Sequence, residues 1–112
     1  MQLTRIISAS VAGVLIASVR DTDLVARYGG EEFCIILPGM PKPRAAASVE
    51  KLRRGIAELL ISDGRGGRIC VTASFGVASC PDDGIQWREL GARADEAMYR
   101  AKGEGKNTVV IF

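Results

Sequence analysis

The residues best suited to chemistry lie in one run, Arg27-Tyr28-Gly29-Gly30-Glu31-Glu32-Phe33. Two neighbouring carboxylates follow a pair of glycines. A glycine turn leaves backbone amides bare enough for phosphate oxygens to approach, and a carboxylate there can hold a divalent cation bridging the same phosphates. Histidine is absent from the chain, which excludes Ser-His-Asp and Cys-His nucleophile pairs and every His-containing zinc site. Chemistry is left to carboxylates, lysines, arginines and backbone amides, a set that suits hard cations and phosphates. Taken alone, the run also fits a plain turn with solvated acids, so its meaning depends on what holds it.

The chain around it has 112 residues, of which 47% are hydrophobic and 25% charged. That length buries one core and that composition folds, so residues 1–112 are read as one domain. The 15 Lys and Arg exceed the 13 Asp and Glu by two, too little for a general nucleic-acid surface. Leu24 to Tyr28 and Glu31 to Leu37 are short strand-like runs separated by Gly29-Gly30. They predict a β-hairpin, with the glycines supplying the positive φ of a tight turn. Before them, Arg20-Asp21-Thr22-Asp23 is a polar corner. Pro43 can open the following helix, where apolar Ala45, Val49, Leu52, Ile56 and Leu59 form one stripe between Arg44 and Leu60. Glu50 and Arg54 are spaced to pair on its wet side.

Ser62 to Arg68 is glycine-rich and predicted to be a loop, and Ile69 to Ser79 reads as a strand. Pro81-Asp82-Asp83-Gly84 is a turn. Trp87, Leu90, Ala94, Met98 and Ala101 stripe a further helix, with Glu89–Arg93 and Glu96–Arg100 as supporting pairs. Thr108 to Phe112 is a last strand. The fold class is therefore α/β, in the α+β sense: a mixed sheet with helices on one face. Phe33 and Tyr99 are expected in the core.

Ile6 to Val19 is free of charge and largely apolar. It is too short to span a membrane and its n-region is thin for a signal peptide. Ile7, Val11, Val14 or Leu15, and Val19 recur at helical steps, which favours a docked helix. The three cysteines Cys34, Cys70 and Cys80 are odd in number. Cys34 and Cys70 lie in apolar runs and read as reduced core thiols of a cytoplasmic protein.

Arg27 to Phe33, followed by its apolar strand, strongly resembles the signature of the GGDEF family, the diguanylate cyclases. The resemblance continues through Val71-Thr72-Ala73-Ser74-Phe75-Gly76-Val77, then Ala94-Asp95-Glu96-Ala97-Met98-Tyr99-Arg100-Ala101-Lys102, then Gly105-Lys106-Asn107, in order and at family-like spacing. It implies a palm-like fold shared with nucleotide cyclases and polymerases. Two domains meet, each with a GTP. The 3′-hydroxyl of each attacks the α-phosphorus of the other, pyrophosphate leaves, and cyclic di-GMP forms with two Mg²⁺ or Mn²⁺ ions assisting. By the same resemblance, Glu31 matches the metal-ligating catalytic carboxylate, and Glu32 matches a second acid that helps order the metal site. Gly29 and Gly30 match the turn that approaches nucleotide. Lys102 and Lys106 match basic positions that hold triphosphate, although lysines near a helix C-terminus also meet the helix dipole with no ligand. Relatives often carry arginine where Lys106 stands; lysine offers a point charge in place of a fork.

Arg20-x-x-Asp23 matches the family's inhibitory product-binding motif, with Lys51 at the position of an added arginine. Arginine forks onto phosphate or a guanine edge and aspartate accepts from guanine N–H groups; the plain alternative is an exposed helix end. The implied partners are GTP, cyclic di-GMP and a second copy of the chain, with no nucleic acid. Membrane contact is expected only through a missing N-terminal sensor, if there is one.

The departure from the pattern lies at the amino end. Relatives begin with a strand and helix carrying an Asp-Leu-Thr-Gly-Leu-like run, a metal-ligating strand aspartate and a guanine-reading asparagine. A second guanine-reading acid falls where this chain has Thr4-Arg5. The family's first strand lies mid-sheet, between the strand after Phe33 and the Ile69–Ser79 strand. Its absence leaves three expectations: parallel pairing across the gap, pairing with another copy, or poor folding. Association is the favoured one. The chain alone is expected to lack cyclase activity. The alternatives are a non-catalytic cyclic di-GMP-binding module using Arg20 and Asp23, a truncated relic, or a protein–protein element.

Overall fold

The computed structural model describes residues 3–29 and 31–112, with side chains described from residue 9 onward except at 29 and 30. The elements are α1 (Leu3–Ser18), β1 (Leu24–Gly29), β2 (Glu32–Ile36), α2 (Lys42–Ala57), β3 (Ile61–Ser62), β4 (Arg68–Ile69), β5 (Phe75–Val77), α3 (Trp87–Gly103) and β6 (Val109–Ile111).

The amino-terminal apolar stretch is a docked helix. Leu15 is 1% exposed and packs with Leu52 and Ile56 of α2, and Val11 and Val14 lie against the same cluster. Burying two such aliphatic side chains contributes on the order of 1.5–3 kcal/mol each. Ile7, the first residue of the predicted stripe, lies outside the described side chains. No helix among the described residues is long and apolar enough to cross a membrane. α2 buries Ala45, Val49, Leu52 and Ile56 and has Pro43 in its first turn. It ends one turn early, at Ala57, so Leu59 falls beyond it. Glu50 does reach Arg54, at 3.3 Å, but its shorter partner is Arg53.

The predicted single sheet is instead three two-stranded ones: β1–β2 antiparallel, β3–β4 antiparallel and β5–β6 parallel. The glycine-rich stretch is not a bare loop. Asp63 Oδ1 accepts from the Arg65 and Gly67 amides at 2.7 and 3.0 Å, which folds the chain back between β3 and β4. The Ile69–Ser79 strand is interrupted, so Cys70 is exposed rather than in the core, and Cys34 is half-buried.

Helices cover both faces of β5, not one. Val77 is buried with Ala45 and Val49 of α2, together with Phe75. Gly76, which points the opposite way along the strand, lies against α3. A Cβ there would fall 2.1 Å from the Ala94 carbonyl oxygen and 2.3 Å from the Met98 nitrogen. Only glycine allows that approach. α3 buries Ala97 and Ala101, and its start is capped by the Gln86 amide donating to Glu89 at 3.4 Å. Trp87 and Tyr99, both expected inside, are exposed. The predicted Glu89–Arg93 and Glu96–Arg100 pairs give way to other partners: Arg93 approaches Glu96 at 3.7 Å, and Arg93 and Arg100 lie over the Phe112 ring at 5.1 and 5.7 Å.

Among the described residues no backbone pairing joins β2 to β5. Direct pairing across the gap is therefore not the outcome. A groove of about 990 Å³ lies between the two strands.

Candidate functional site

β1 and β2 pair in register from Leu24 opposite Ile36 to Arg27 opposite Phe33. The register then slips, and Gly29 faces Glu32. Two residues of β1 thus oppose one step of β2, a bulge at Tyr28 of the kind that ends pairing and re-aims side chains beside a turn. The predicted Gly29-Gly30 turn is displaced by one residue. Gly29 belongs to β1, Gly30 lies outside the described residues, and Glu31 is at the connection itself. Glu31 and Glu32 are both exposed, and Tyr28 beside them is 67% exposed. Phe33 turns inward and packs on the Leu15, Leu52 and Ile56 cluster, which anchors the hairpin below its polar tip.

At the other end of β1, Arg20 and Asp23 engage each other. Arg20 Nε donates to both Asp23 oxygens at 3.0 and 3.1 Å, and Nη2 donates to Oδ1 at 2.7 Å. The Arg20 amide adds a bond to Oδ2 at 2.8 Å, and Nη2 also donates to the Pro38 carbonyl at 2.8 Å. Asp23 is 2% exposed in its side chain and Arg20 46%. Hydrogen bonding from Arg20 holds the Asp23 carboxyl below its ordinary range, and the same bond raises the guanidinium. Nη1 of Arg20 has no partner among the described residues, so the pair presents a guanidinium edge rather than a free carboxylate. Lys51 is exposed on α2.

Lys102 and Lys106 are exposed at and beyond the end of α3. The turn that carries Lys106 is fixed: its amide donates to the Ala101 carbonyl at 3.1 Å, and Lys106 and Asn107 both have positive φ, 61° and 47°. Arg53 Nη1 donates to Asn107 Oδ1 at 2.8 Å and ties this turn to α2. Glu32 and Tyr28 reach the groove beside β2, whereas Lys102 and Lys106 do not line it.

The family description "Diguanylate cyclase, GGDEF domain" matches residues 7–108. The chain belongs to the GGDEF family. Diguanylate cyclase A of Treponema denticola is 36% identical over 107 residues, covering 95% of this chain and 28% of the relative. Cyclic di-GMP phosphodiesterase NbdA of Pseudomonas aeruginosa is 35% identical over 111 residues, covering 99% of this chain and 13% of the relative. The crystal structure of the GGDEF domain of DgcB from Caulobacter crescentus, in complex with c-di-GMP, superposes with a TM-score of 0.81 at 26% identity. It takes in 94% of this chain and 62% of that one. The chain thus spans under a third of these curated relatives and about two thirds of an isolated GGDEF domain.

The donor set for the divalent ion that GGDEF cyclases use is thin. No three His, Cys, Asp or Glu side chains cluster to hold a metal among the described residues. Glu31 and Glu32 are two exposed carboxylates, and an ion held by them would need its remaining ligands from waters or substrate phosphates.

Sequence reasoning missed the contact that fixes the far side of this GGDEF fold. Lys42 Nζ meets Asp83 Oδ2 at 2.6 Å and donates to the Phe112 carbonyl at 3.0 Å. Asp83 also accepts from the Ser79 amide at 2.8 Å, and Lys42 holds its carboxyl below the ordinary range. Asp83 reads as a turn residue in Pro81-Asp82-Asp83-Gly84, and no local signal points to a partner 41 residues earlier.

Proposed function

We propose that this chain is the hairpin-bearing part of a diguanylate cyclase-type domain in cyclic di-GMP signalling, and that these 112 residues alone do not turn over GTP. The observation that carries this reading is Glu31 at the exposed connection of a bulged β1–β2 hairpin, immediately after the glycines. In the completed domain the Gly29-Gly30 backbone lies close to a GTP phosphate chain, while Glu31, assisted by Glu32, turns a carboxylate to the same place. Lys102 and Lys106 balance the triphosphate's charge. A bound Mg²⁺ or Mn²⁺ neutralises phosphate charge and lowers the attacking hydroxyl's pKa. Two copies are needed, because each supplies one nucleotide. Light scattering on the purified chain tests association, and a clean monomer at high concentration counts against it.

The donor count supports this reading: no third His, Cys, Asp or Glu joins Glu31 and Glu32 in a metal-holding group among the described residues. Incubation with GTP and Mn²⁺, resolved by chromatography, is expected to give no cyclic di-GMP. A product peak that disappears in Glu31→Gln would overturn this.

A second reading is favoured by the Arg20–Asp23 geometry. Asp23 orients the half-exposed guanidinium and engages its Nε and Nη2, which makes the remaining edge a preorganised donor for a phosphate or a guanine. With Lys51 as a further exposed cation, the chain would bind cyclic di-GMP without catalysis. Calorimetry with the dinucleotide is expected to show binding that weakens at least ~10-fold in Arg20→Ala, a loss of about 1.4 kcal/mol. Equal affinity in both proteins would remove Arg20 from the site.

A further inference from the structure

Beyond α3 three residues in succession hold left-handed backbone: Gly105 at φ 104°, Lys106 at 61° and Asn107 at 47°. Glycine takes that conformation freely, but a lysine there crowds its own backbone and persists only where the surroundings impose it. Among the described residues, Lys106 and Asn107 are the non-glycine residues of positive φ. The backbone on either side of them is fixed. The Lys106 amide reaches the carbonyl of fully buried Ala101 at 3.1 Å. The Thr108 carbonyl accepts from the Phe75 amide at 3.0 Å, where β6 begins to run beside β5. Between these two anchors, Asn107 Oδ1 takes its bond from Arg53 Nη1 of α2.

Arg53 is arranged to act through that bond. Its Nε donates to the two Glu50 oxygens at 3.0 and 2.9 Å, and Nη2 also donates to Oε1. With Nη1 on Asn107, each of the three guanidinium nitrogens is engaged, and the side chain is only 17% exposed. Its charge is answered as well. Hydrogen bonding from Arg53 holds the Glu50 carboxyl below its ordinary range, so Glu50 stays ionised beside it near neutral pH. Arg54 adds a contact to Glu50 at 3.3 Å. The carboxylate therefore fixes the plane of the guanidinium, and a fixed fork gives the bond to Asn107 a set direction. Little of Arg53 is left to meet an anion, whereas Lys106 is exposed.

We infer that Arg53 is a positioning residue for Lys106: through Asn107 it holds the left-handed turn that aims the lysine at a polyphosphate, without touching the ligand itself. The inference rests on the reading of Lys106 as a triphosphate contact. Lysine is a point charge on a flexible stem, so what it adds to a site depends on where its backbone is held. Without the tether, residues 106 and 107 would relax toward right-handed backbone and scatter the ammonium over many directions, and the lost preorganisation would weaken binding.

The test is a double-mutant cycle on the intact chain, with inorganic tripolyphosphate as the probe, calorimetry as the readout and ionic strength held constant. Circular dichroism checks that each variant is folded. Lys106→Ala is expected to weaken binding ~10-fold. Arg53→Ala should weaken it ~5-fold in the parent but less than ~2-fold once Lys106 is alanine, because residues that act through one group are not additive. Asn107→Gly leaves α2 untouched and tolerates positive φ, yet removes the acceptor. It should reproduce the Arg53→Ala loss, and it carries the test if Arg53→Ala does not fold. Unchanged affinity in either variant, once folded, would overturn the inference and leave the lysine reading standing. An equal Arg53→Ala loss in both backgrounds would also overturn it, by showing that Arg53 attracts the anion with its own charge. Lys106→Ala without effect, or a parent that binds no tripolyphosphate, would remove the lysine reading and the inference with it.

Discussion

Along one edge β5 runs beside β6 in register, Phe75 opposite Val109 and Val77 opposite Ile111, and the Phe112 amide donates to the Val77 carbonyl at 2.9 Å. Along its other edge the same three residues face the groove. The closed flank is held by several independent devices: strand pairing, the intimate contact of Gly76 with α3, the Lys42–Asp83 pair and two arginines over Phe112. The open flank has the Leu15 cluster beneath it as the tie between its walls. The difference shows that the helices can be sited on both faces of a layer while the layer itself is discontinuous. Face packing depends on side chains, whereas sheet continuity depends on a backbone partner at each edge.

The largest effect that would sharpen this contrast is expected from Gly76→Ala. The added methyl would overlap α3 backbone, which cannot swing aside as a flexible side chain does. The expected destabilisation is at least ~3 kcal/mol, at the upper end of the cost of overpacking. Urea titration followed by circular dichroism measures it; an unchanged midpoint would mean that α3 is not seated on β5 as described.

Next is Leu15→Ala, which removes the side chain most central to the tie beneath the groove. A cost of about 2–5 kcal/mol is expected for a fully buried leucine. Faster amide exchange should extend to both walls, around Phe33 to Ile35 and around Phe75. Exchange confined to α1 would show that the cluster does not link the two flanks.

The smallest effect concerns acid. Asp83 is held below its ordinary range by Lys42, so it binds fewer protons folded than unfolded. Its contribution is complete above the ordinary aspartate pKa of about 4 and is lost as pH falls through the depressed folded value. Asp83→Asn should therefore lower the urea midpoint near neutral pH and flatten its fall below about pH 4. A variant as steeply acid-sensitive as the parent would place the responsible carboxylate elsewhere, with Asp23 and Glu50 the next candidates because arginines depress both.

The helices were legible because their stripes are local. Ala45, Val49, Leu52 and Ile56 announce a buried face within a few turns, and the structure buries those four. The hairpin was legible too, since its strands are adjacent in sequence and joined by glycines. Its register was not. The bulge at Tyr28 moves the turn onto Glu31, and a single-residue slip leaves composition and periodicity unchanged. Trp87 belongs to the apolar stripe and Tyr99 is a large aromatic, yet the small residues Ala97 and Ala101 are what α3 buries, and at Ala97 the close approach of Gly76 leaves no room for a larger side chain.

What the sequence determined by itself is the family and the helical faces. Each of these rests on residue types at short spacing. What tertiary structure decided is which carboxylates are spoken for. Asp23 is closed around Arg20 and Asp83 around Lys42, while Glu31 and Glu32 stay open to solvent. It also decided that β2 and β5 stand apart with a helix on either side, because strand pairing between distant segments is settled by which backbone edges come within reach.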